Sequence, residues 1–305
     1  MMYLLLLIGF ILLIKGADLF VDGSSSIAGI LKVPSVIIGL TIVAMGTSAP
    51  EAAVSISAGL SGNSDISLGN IIGSNIFNLL VVIGACAVIF PAASNEEILK
   101  RDLWWNIGIS VLLFALILDN RISRMEGFIF LAIFLFYLGL MLRSALKNRM
   151  EETPMNLLPL WKSILFVVLG LAAVVFGGDL VVDNASMIAK AWGMSDTLVG
   201  LTIVAVGTSL PELVTSITAT KKGDSGIALG NAVGSCIFNI LFILGIASAL
   251  TPINAVPELV IDAAILIAVT ILILIFAKTG KKTNRLEGMI CVLFYIVYTA
   301  YIIMR

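Results

Sequence analysis

The chain has 305 residues, of which 60% are hydrophobic and only 12% charged, with a mean hydropathy of +1.13 and a net charge of −1. Soluble domains carry about 25% charged residues, so this composition excludes a water-soluble fold. The small net charge gives no field that would attract nucleic acid. Histidine is absent and the three cysteines have no CxxC spacing, so we expect no zinc site, disulfide framework or cofactor.

Apolar stretches of about 20 residues recur along the chain, each long enough to cross a bilayer as a helix. The first has neither the basic start nor the cleavage site of a signal peptide, so it is predicted to be a span. We therefore predict an all-α polytopic membrane protein with ten transmembrane helices. The predicted spans are 2–22, 36–60, 66–90, 103–119, 126–144, 161–183, 197–219, 227–250, 258–277 and 284–303.

The two halves of the sequence repeat each other at an offset of 161 residues. Residues 39–51 read GLTIVAMGTSAPE and residues 200–212 read GLTIVAVGTSLPE, so 11 of 13 positions are identical. Residues 69–78 (GNIIGSNIFN) and 230–239 (GNAVGSCIFN) share 7 of 10. This duplication predicts a first repeat at 1–145 with its most similar segment at about 36–90, a linker at 146–160, and a second repeat at 161–305 with its most similar segment at about 197–250.

Five spans in each repeat are an odd number, so the second repeat enters the membrane from the opposite side, as in many secondary transporters. Four Lys and Arg residues fall on the side of the N-terminus and thirteen on the other side. The positive-inside rule then predicts both termini outside and a cytoplasmic linker, in a multi-pass protein of the cell (inner) membrane.

One glutamate lies deep in each repeat, Glu51 in the second span and Glu212 in the seventh. Burying a lone carboxylate at this depth in the membrane costs roughly several kcal/mol of free energy, so its presence indicates a functional site. Pro50 and Pro211 precede the glutamates and cannot donate a helical hydrogen bond, so each helix is predicted to be broken there. The other interpretation is a protonated glutamate that bonds between helices.

The residues around the glutamates supply further oxygen. Thr47 lies one turn before Glu51 on the same helix face. Ser74 and Asn78 share a face in the third span, and the second repeat has Ser and Asn at the matching positions, whereas the glycines of these segments are predicted to serve helix packing. Oxygen ligands suit hard cations such as calcium and sodium, so the two broken helices predict a central cation site.

The GTSxPE and GNxxGSxxxN segments resemble the α-repeats of the calcium/cation antiporter superfamily, specifically its sodium/calcium exchanger branch and prokaryotic members. The resemblance covers nearly the whole chain. It implies secondary active exchange of about three sodium ions for one calcium ion at a central cluster of four cation sites. Because some relatives, including potassium-dependent exchangers, have Asp where this chain has Asn239, the resemblance favours a potassium-independent exchanger.

The resemblance also assigns roles to residues at matching positions. Glu51 and Glu212 would bind calcium directly, aided by the backbone oxygens of Thr47 and Thr208. The outlying sodium sites and the flanks of the central site would be formed by Ser48, Ser74, Ser209, Ser235, the carbonyls of Ala44 and Ala205, Asn78 and Asn239.

Two ionised glutamates balance one calcium ion, whereas three sodium ions would leave about one positive charge, so electrogenic exchange is expected. A proton-coupled antiporter of calcium or another divalent cation is the main alternative, and a channel is a further one. We do not expect an enzyme, because there is no histidine base, and the two glutamates form a symmetric pair. No oligomer is required, and the expected partners are calcium, sodium and the lipid bilayer.

Two aspartate pairs, Asp18–Asp22 and Asp179–Asp183, recur at the repeat offset. They are predicted to lie near helix ends, where they would cap a helix or contact headgroups.

Overall fold

A computed structural model describes residues 1–90, 96–147, 157–194, 203, 205–279 and 284–304, with only the backbone described at 96–100, 205 and 279. Among these residues, eight helices are long and apolar enough to cross a membrane, and one bent helix pair forms a ninth candidate span. The start of the predicted span 197–219 and most of the predicted linker 146–160 lie outside these residues.

Most helices follow the predicted spans within a few residues, but the helices of the first and sixth spans continue to residues 31 and 191, and that of the fourth span begins at residue 96. In the first half they are α1 (Met2–Leu31), α2 (Ser35–Ile38), a π-helical turn (Gly39–Val43), α3 (Ala44–Thr47), α4 (Ala49–Leu60), α5 (Ser64–Phe77), a second π-helical turn (Asn78–Val82), α6 (Ile83–Ile89), α7 (Glu96–Leu116), a short 3-10 helix (Ile117–Asp119), β1 (Arg121–Ile122) and α8 (Arg124–Lys147).

The second half repeats the order of the helices where it is described, but its strand precedes the fourth span of the repeat, whereas the strand of the first half precedes the fifth. Its elements are α9 (Leu160–Ala191), α10 (Ala205–Gly207), α11 (Leu210–Lys221), α12 (Ser225–Phe238), a π-helical turn (Asn239–Leu244), α13 (Gly245–Leu250), β2 (Ile253–Asn254), α14 (Pro257–Thr279) and α15 (Arg285–Met304).

A two-residue antiparallel ladder adds to the all-helical prediction. Arg121 pairs with Asn254 and Ile122 with Ile253, so the ladder joins the two halves at one end of the molecule. Asn120 has a φ of 62°, in the left-handed region, and turns the chain into β1.

The two long helices α1 and α9 pack closely along glycine positions. A Cβ atom added at Gly9 would lie 3.0 Å from the carbonyl oxygen of Gly177, and one added at Gly16 would lie 2.9 Å from that of Gly170. As the residue number increases along α1, the number of the contacting residue in α9 decreases, so the two helices are antiparallel. Because α9 is the counterpart of α1 in the repeat, the halves are inverted, and the predicted fold is confirmed.

Glycines also bring α12 against the second span. A Cβ atom added at Gly230 would lie 2.6 Å from the carbonyl oxygen of Val36, and one at Gly234 would lie 2.7 Å from Leu40. The predicted packing role of these glycines is therefore confirmed for the second repeat. This close approach brings α12 beside the break between α3 and α4, where the predicted site residues lie.

The prediction that Asp18 and Asp22 lie near a helix end is wrong. α1 continues to Leu31, so both residues lie inside the helix. Lys222, just beyond the end of α11, places its Nζ 2.7 Å from Asp22 Oδ1 and 3.5 Å from Asp18 Oδ1. The aspartates therefore tie α1 to the second repeat.

Candidate cation-binding site

The second span is broken at the residues that the proline pattern indicates. α3 ends at Thr47 and α4 begins at Ala49, and the axes on the two sides of the break differ by 51°. Ser48 between them has ψ 12°, outside the helical region. Pro50 is the second residue of α4, a position where its missing N–H breaks no helical bond.

The second repeat has the same break. α10 ends at Gly207 and α11 begins at Leu210, with Ser209 at ψ 8° and Pro211 at the second position. Glu51 and Glu212 therefore both lie in the first turn of a helix, where the free backbone N–H groups favour negative charge. Both side chains are fully buried.

Each carboxylate is held by a serine of the opposite half. Ser48 Oγ donates a hydrogen bond to Glu212 Oε1 at 2.8 Å, and Ser209 Oγ donates one to Glu51 Oε1 at 2.9 Å. These hydrogen bonds connect the two broken helices, and both glutamates face one shared centre. The Oε2 atom of each glutamate has no partner among the described residues, although both atoms are buried.

The serine of α12 joins this centre from a third direction. Ser235 Oγ lies 3.4 Å from Glu212 Oε1 and also 3.4 Å from the carbonyl oxygen of Ala44. The matching serine of α5, Ser74, is also buried, and its Oγ has no hydrogen-bond partner in the described part of the chain. Of Ala205 only the backbone is described, as the first residue of α10.

The two threonines contact asparagines that the sequence analysis did not select. Thr47 Oγ1 donates to Asn231 Oδ1 at 2.9 Å, and Asn231 Nδ2 donates to the backbone carbonyl of Glu212 at 3.3 Å. In the other half, Thr208 Oγ1 donates to Asn70 Oδ1 at 3.4 Å. Asn231 therefore links the break of the first repeat to the second repeat, and Asn70 links the break of the second repeat to the first.

These asparagines also bind a serine on the neighbouring helix. Asn231 Nδ2 lies 3.0 Å from Ser216 Oγ, and Asn70 Nδ2 lies 2.9 Å from Ser55 Oγ. All four residues recur at the repeat offset of 161. This recurrence is the sequence signal that could have identified the four residues. The prediction used only the glycines that precede Asn70 and Asn231.

Asn78 and Asn239 each begin a π-helical turn, a feature that the sequence did not predict. Such turns are rare, occur mostly as single insertions in α-helices, and are frequent at functional sites. Both side chains are fully buried. Neither polar atom of Asn78, nor Oδ1 of Asn239, has a hydrogen-bond partner among the described residues.

Of the predicted site residues with described side chains, Ser48, Ser209 and Ser235 contact the glutamates directly. Thr47 and Thr208 contact asparagines, and Ser74, Asn78 and Asn239 are buried with at least one polar atom that has no partner among the described residues. Buried polar atoms normally have partners, so a group of unpartnered carboxylate, hydroxyl and amide oxygens is suited to a ligand with positive charge. Within the described ranges, no group of three or more His, Cys, Asp or Glu residues converges. The donor set is two carboxylates with neutral oxygens, which suits hard cations rather than zinc.

Comparisons with known proteins agree with this architecture. The family model described as sodium/calcium exchanger protein matches residues 1–143 and 162–304. A protein designated CaxA from Alkalimonas amylolytica is 42% identical, over 96% of this chain and 95% of its own. The sodium/calcium exchanger MaX1 of Methanosarcina acetivorans is 34% identical, over 97% of both chains.

Solved structures give the same result. A structure of the sodium–calcium exchanger NCX_Mj, soaked with sodium and strontium, superposes with a TM-score of 0.87 at 34% identity, over 98% of this chain and 97% of that one. NCX_Mj is a ten-helix inverted-repeat exchanger, so the predicted ten-helix fold is supported over nearly the full length. The chain therefore belongs to the sodium/calcium exchanger family, within the calcium/cation antiporter superfamily, and is of the prokaryotic type.

Proposed function

We propose that this protein exchanges sodium for calcium across the cell membrane by alternating access, electrogenically and without potassium. The observation that carries the proposal is the reciprocal pairing of Ser48 with Glu212 and Ser209 with Glu51, which leaves one oxygen of each buried carboxylate without a partner. Two such oxygens facing one centre are suited to a divalent cation, and monovalent cations compete for the same charges.

In this proposal Glu51 and Glu212 bind calcium, aided by the backbone oxygens of Thr47 and Thr208. If three sodium ions replace one calcium ion, one net positive charge crosses the membrane in each cycle. The sodium sites and the flanks of the central site are formed by Ser48, Ser74, Ser209, Ser235, the carbonyls of Ala44 and Ala205, Asn78 and Asn239.

The proposal includes an orientation. Residues 1–145 and 161–305 form the two repeats, both termini lie outside, and the linker 146–160 is cytoplasmic. The excess of Lys and Arg on the linker side supports this assignment. The long helices α1 and α9 pack on each other and touch the breaks, since a Cβ atom at Gly178 would lie 3.5 Å from Pro211. They are the elements that move past the binding core.

The experiment is uptake of radioactive calcium into proteoliposomes loaded with sodium, compared with loading by potassium or choline, each with and without a pH gradient. We expect uptake only with internal sodium, unchanged by potassium and stimulated by an inside-positive potential, because the exiting sodium carries excess positive charge. Uptake that ignores sodium and follows the pH gradient would contradict sodium coupling and identify a proton-coupled antiporter.

A further inference from the structure

The layer next to the central site contains an asparagine with no assigned role. Asn75 lies on α5 beside Ser74, and its counterpart on α12 is Cys236. Both side chains are fully buried. The repeats are therefore chemically different at one position that directly adjoins the site, where the central glutamates, serines and asparagines are the same in both.

The hydrogen bonds of Asn75 fix which end of its amide faces Asn239. Asn75 Nδ2 lies 3.1 Å from the backbone carbonyl of Cys236, and a carbonyl can only accept, so this end must be the nitrogen. The oxygen of Asn75 then points to the side chain of Asn239 at 3.0 Å. Because that oxygen can only accept, Asn239 must present its nitrogen to Asn75.

The amide of Asn239 consequently has its own oxygen on the other end. This Oδ1 atom is buried and has no partner in the part of the chain that the structure describes. The amide of Asn78 differs, since neither of its polar atoms has a partner among the described residues. Cys236 makes the mirror contact, with Sγ 3.6 Å from the backbone carbonyl of Asn75, but it has no oxygen to accept a bond from Asn78.

We propose that Asn75 is a positioning residue that fixes the Asn239 amide with its oxygen toward the ion site, while the Asn78 amide is free to turn. The inference rests on the proposed function and gives the asparagines of the two repeats different roles in it. The second repeat supplies a preset amide oxygen for calcium, whereas the first repeat adjusts. A preset oxygen lowers the reorganisation needed for binding and so raises affinity more than maximal rate.

The test exchanges the two residues between the repeats. N75C removes the acceptor for Asn239, and we expect the KM for calcium to rise about tenfold while kcat stays within about twofold. C236N adds an acceptor for Asn78 and is expected to leave the calcium KM unchanged or lower. The double variant N75C/C236N transfers the fixed amide to the first repeat, so its KM is expected to return to within about threefold of the original.

A general packing defect would not be repaired by a substitution in the other repeat, so the double variant separates positioning from structure. C236A is the matched control, because it removes the thiol contact and leaves every hydrogen bond of the asparagine side chains in place. If N75C fails to fold, N75A and N75A/C236N replace it. An unchanged calcium KM in N75C or N75A, or a double variant no better than the single, would overturn the inference.

Calcium titration calorimetry on the detergent-purified variants keeps the result separate from the coupling ion. If the original protein binds calcium but shows no sodium-dependent exchange, the proposed function fails. The same tenfold difference in calcium affinity between original and N75C would then still support the role of Asn75, and equal affinities would still contradict it.

Discussion

The first and second repeats agree around the two glutamates and diverge one layer further out. Both place a serine of the break against the opposite carboxylate, at 2.8 and 2.9 Å. Beside this centre, Asn75 corresponds to Cys236, and at the surface Ser61 corresponds to Lys222. The duplicated sequence is retained around the two glutamates, and it differs both in the buried layer beside them and at the surface.

A peripheral helix shows the same divergence. Asp102, Asn106 and Ser110 lie one turn apart on α7 and are all fully buried. At the matching positions α14 has Ala263 and two isoleucines, 267 and 271. α14 buries Asp262 and Thr270 instead, so the buried polar groups of this helix lie at different positions in the two repeats, and the halves are not interchangeable in spite of their common fold.

The largest effect on calcium uptake is expected from removing the charge of either central glutamate, the feature that the two repeats share. Glu51→Gln and Glu212→Gln keep the side-chain size but each remove half of the negative charge available to calcium. We expect each to reduce calcium uptake about a hundredfold or more, from roughly 3 kcal/mol of lost interaction with a charged group. Asp65→Asn, an exposed position in the first turn of α5, is the control and should retain uptake. Normal uptake in both glutamine variants would refute the site.

Packing of the two long helices is the next target. A Cβ atom at Gly170 would lie 2.5 Å from the backbone nitrogen of Phe20, so Gly170→Val must force α1 and α9 apart. Overpacking costs about 1–3 kcal/mol, and we expect a lower thermal midpoint and little uptake. Gly139→Ala on α8 meets no atom within 4 Å and should leave both unchanged. Unaffected stability in Gly170→Val would contradict this close contact.

The serines test whether the two repeats are equivalent at the centre. Ser48→Ala and Ser209→Ala each remove a hydrogen bond to a carboxylate of the other repeat. We expect each to weaken apparent calcium affinity about tenfold, because such bonds contribute about 1.5 kcal/mol. Calcium titration of both variants measures the difference directly.

The pairing itself is checked by a double-mutant cycle. Ser48→Ala should add little in a Glu212→Gln background, since its partner charge is already gone, but should add its full effect in a Ser209→Ala background. Equal additional effects in both backgrounds would contradict the cross-repeat pairing.

Much of this architecture follows from the sequence for physical reasons. The apolar stretches predict the spans because bilayer thickness sets helix length. Pro50 and Pro211 predict the breaks because a residue without N–H cannot continue a helix through its interior. The twofold recurrence of one glutamate at membrane depth then identifies the centre.

Other features depend on contacts between distant segments, which composition and local spacing do not reveal. The π-helical turns at Asn78 and Asn239 involve residues with ordinary helical propensity, so only packing against neighbouring helices determines them. The partner of Asp22, Lys222, is 200 residues away in the chain. Such pairings require the fold before they can be recognised.

The smallest expected effect concerns that last pair, which exists in only one repeat. Lys222 joins α11 to Asp18 and Asp22 of α1, whereas the position that matches Lys222 in the first repeat is Ser61, and α9 carries Asp179 and Asp183 at the positions that match the two aspartates. In the proposed orientation this ion pair lies on the cytoplasmic side, and we expect it to favour the state that is closed to that side. Exposed ion pairs contribute about 0.2–1 kcal/mol, so we expect a shift of about twofold in the balance of the two states.

Lys222→Ser gives the second repeat the residue of the first, and Ser61→Lys does the reverse. We expect Lys222→Ser to increase apparent calcium affinity about twofold at the cytoplasmic face, because more molecules are open to that side. Ser61→Lys should instead weaken affinity at the outer face by a similar factor. Both shifts should fade in high salt, which screens exposed charges. Calcium titrations at each face of oriented vesicles measure them, and identical shifts at both faces would mean that the lysine does not act on one side only.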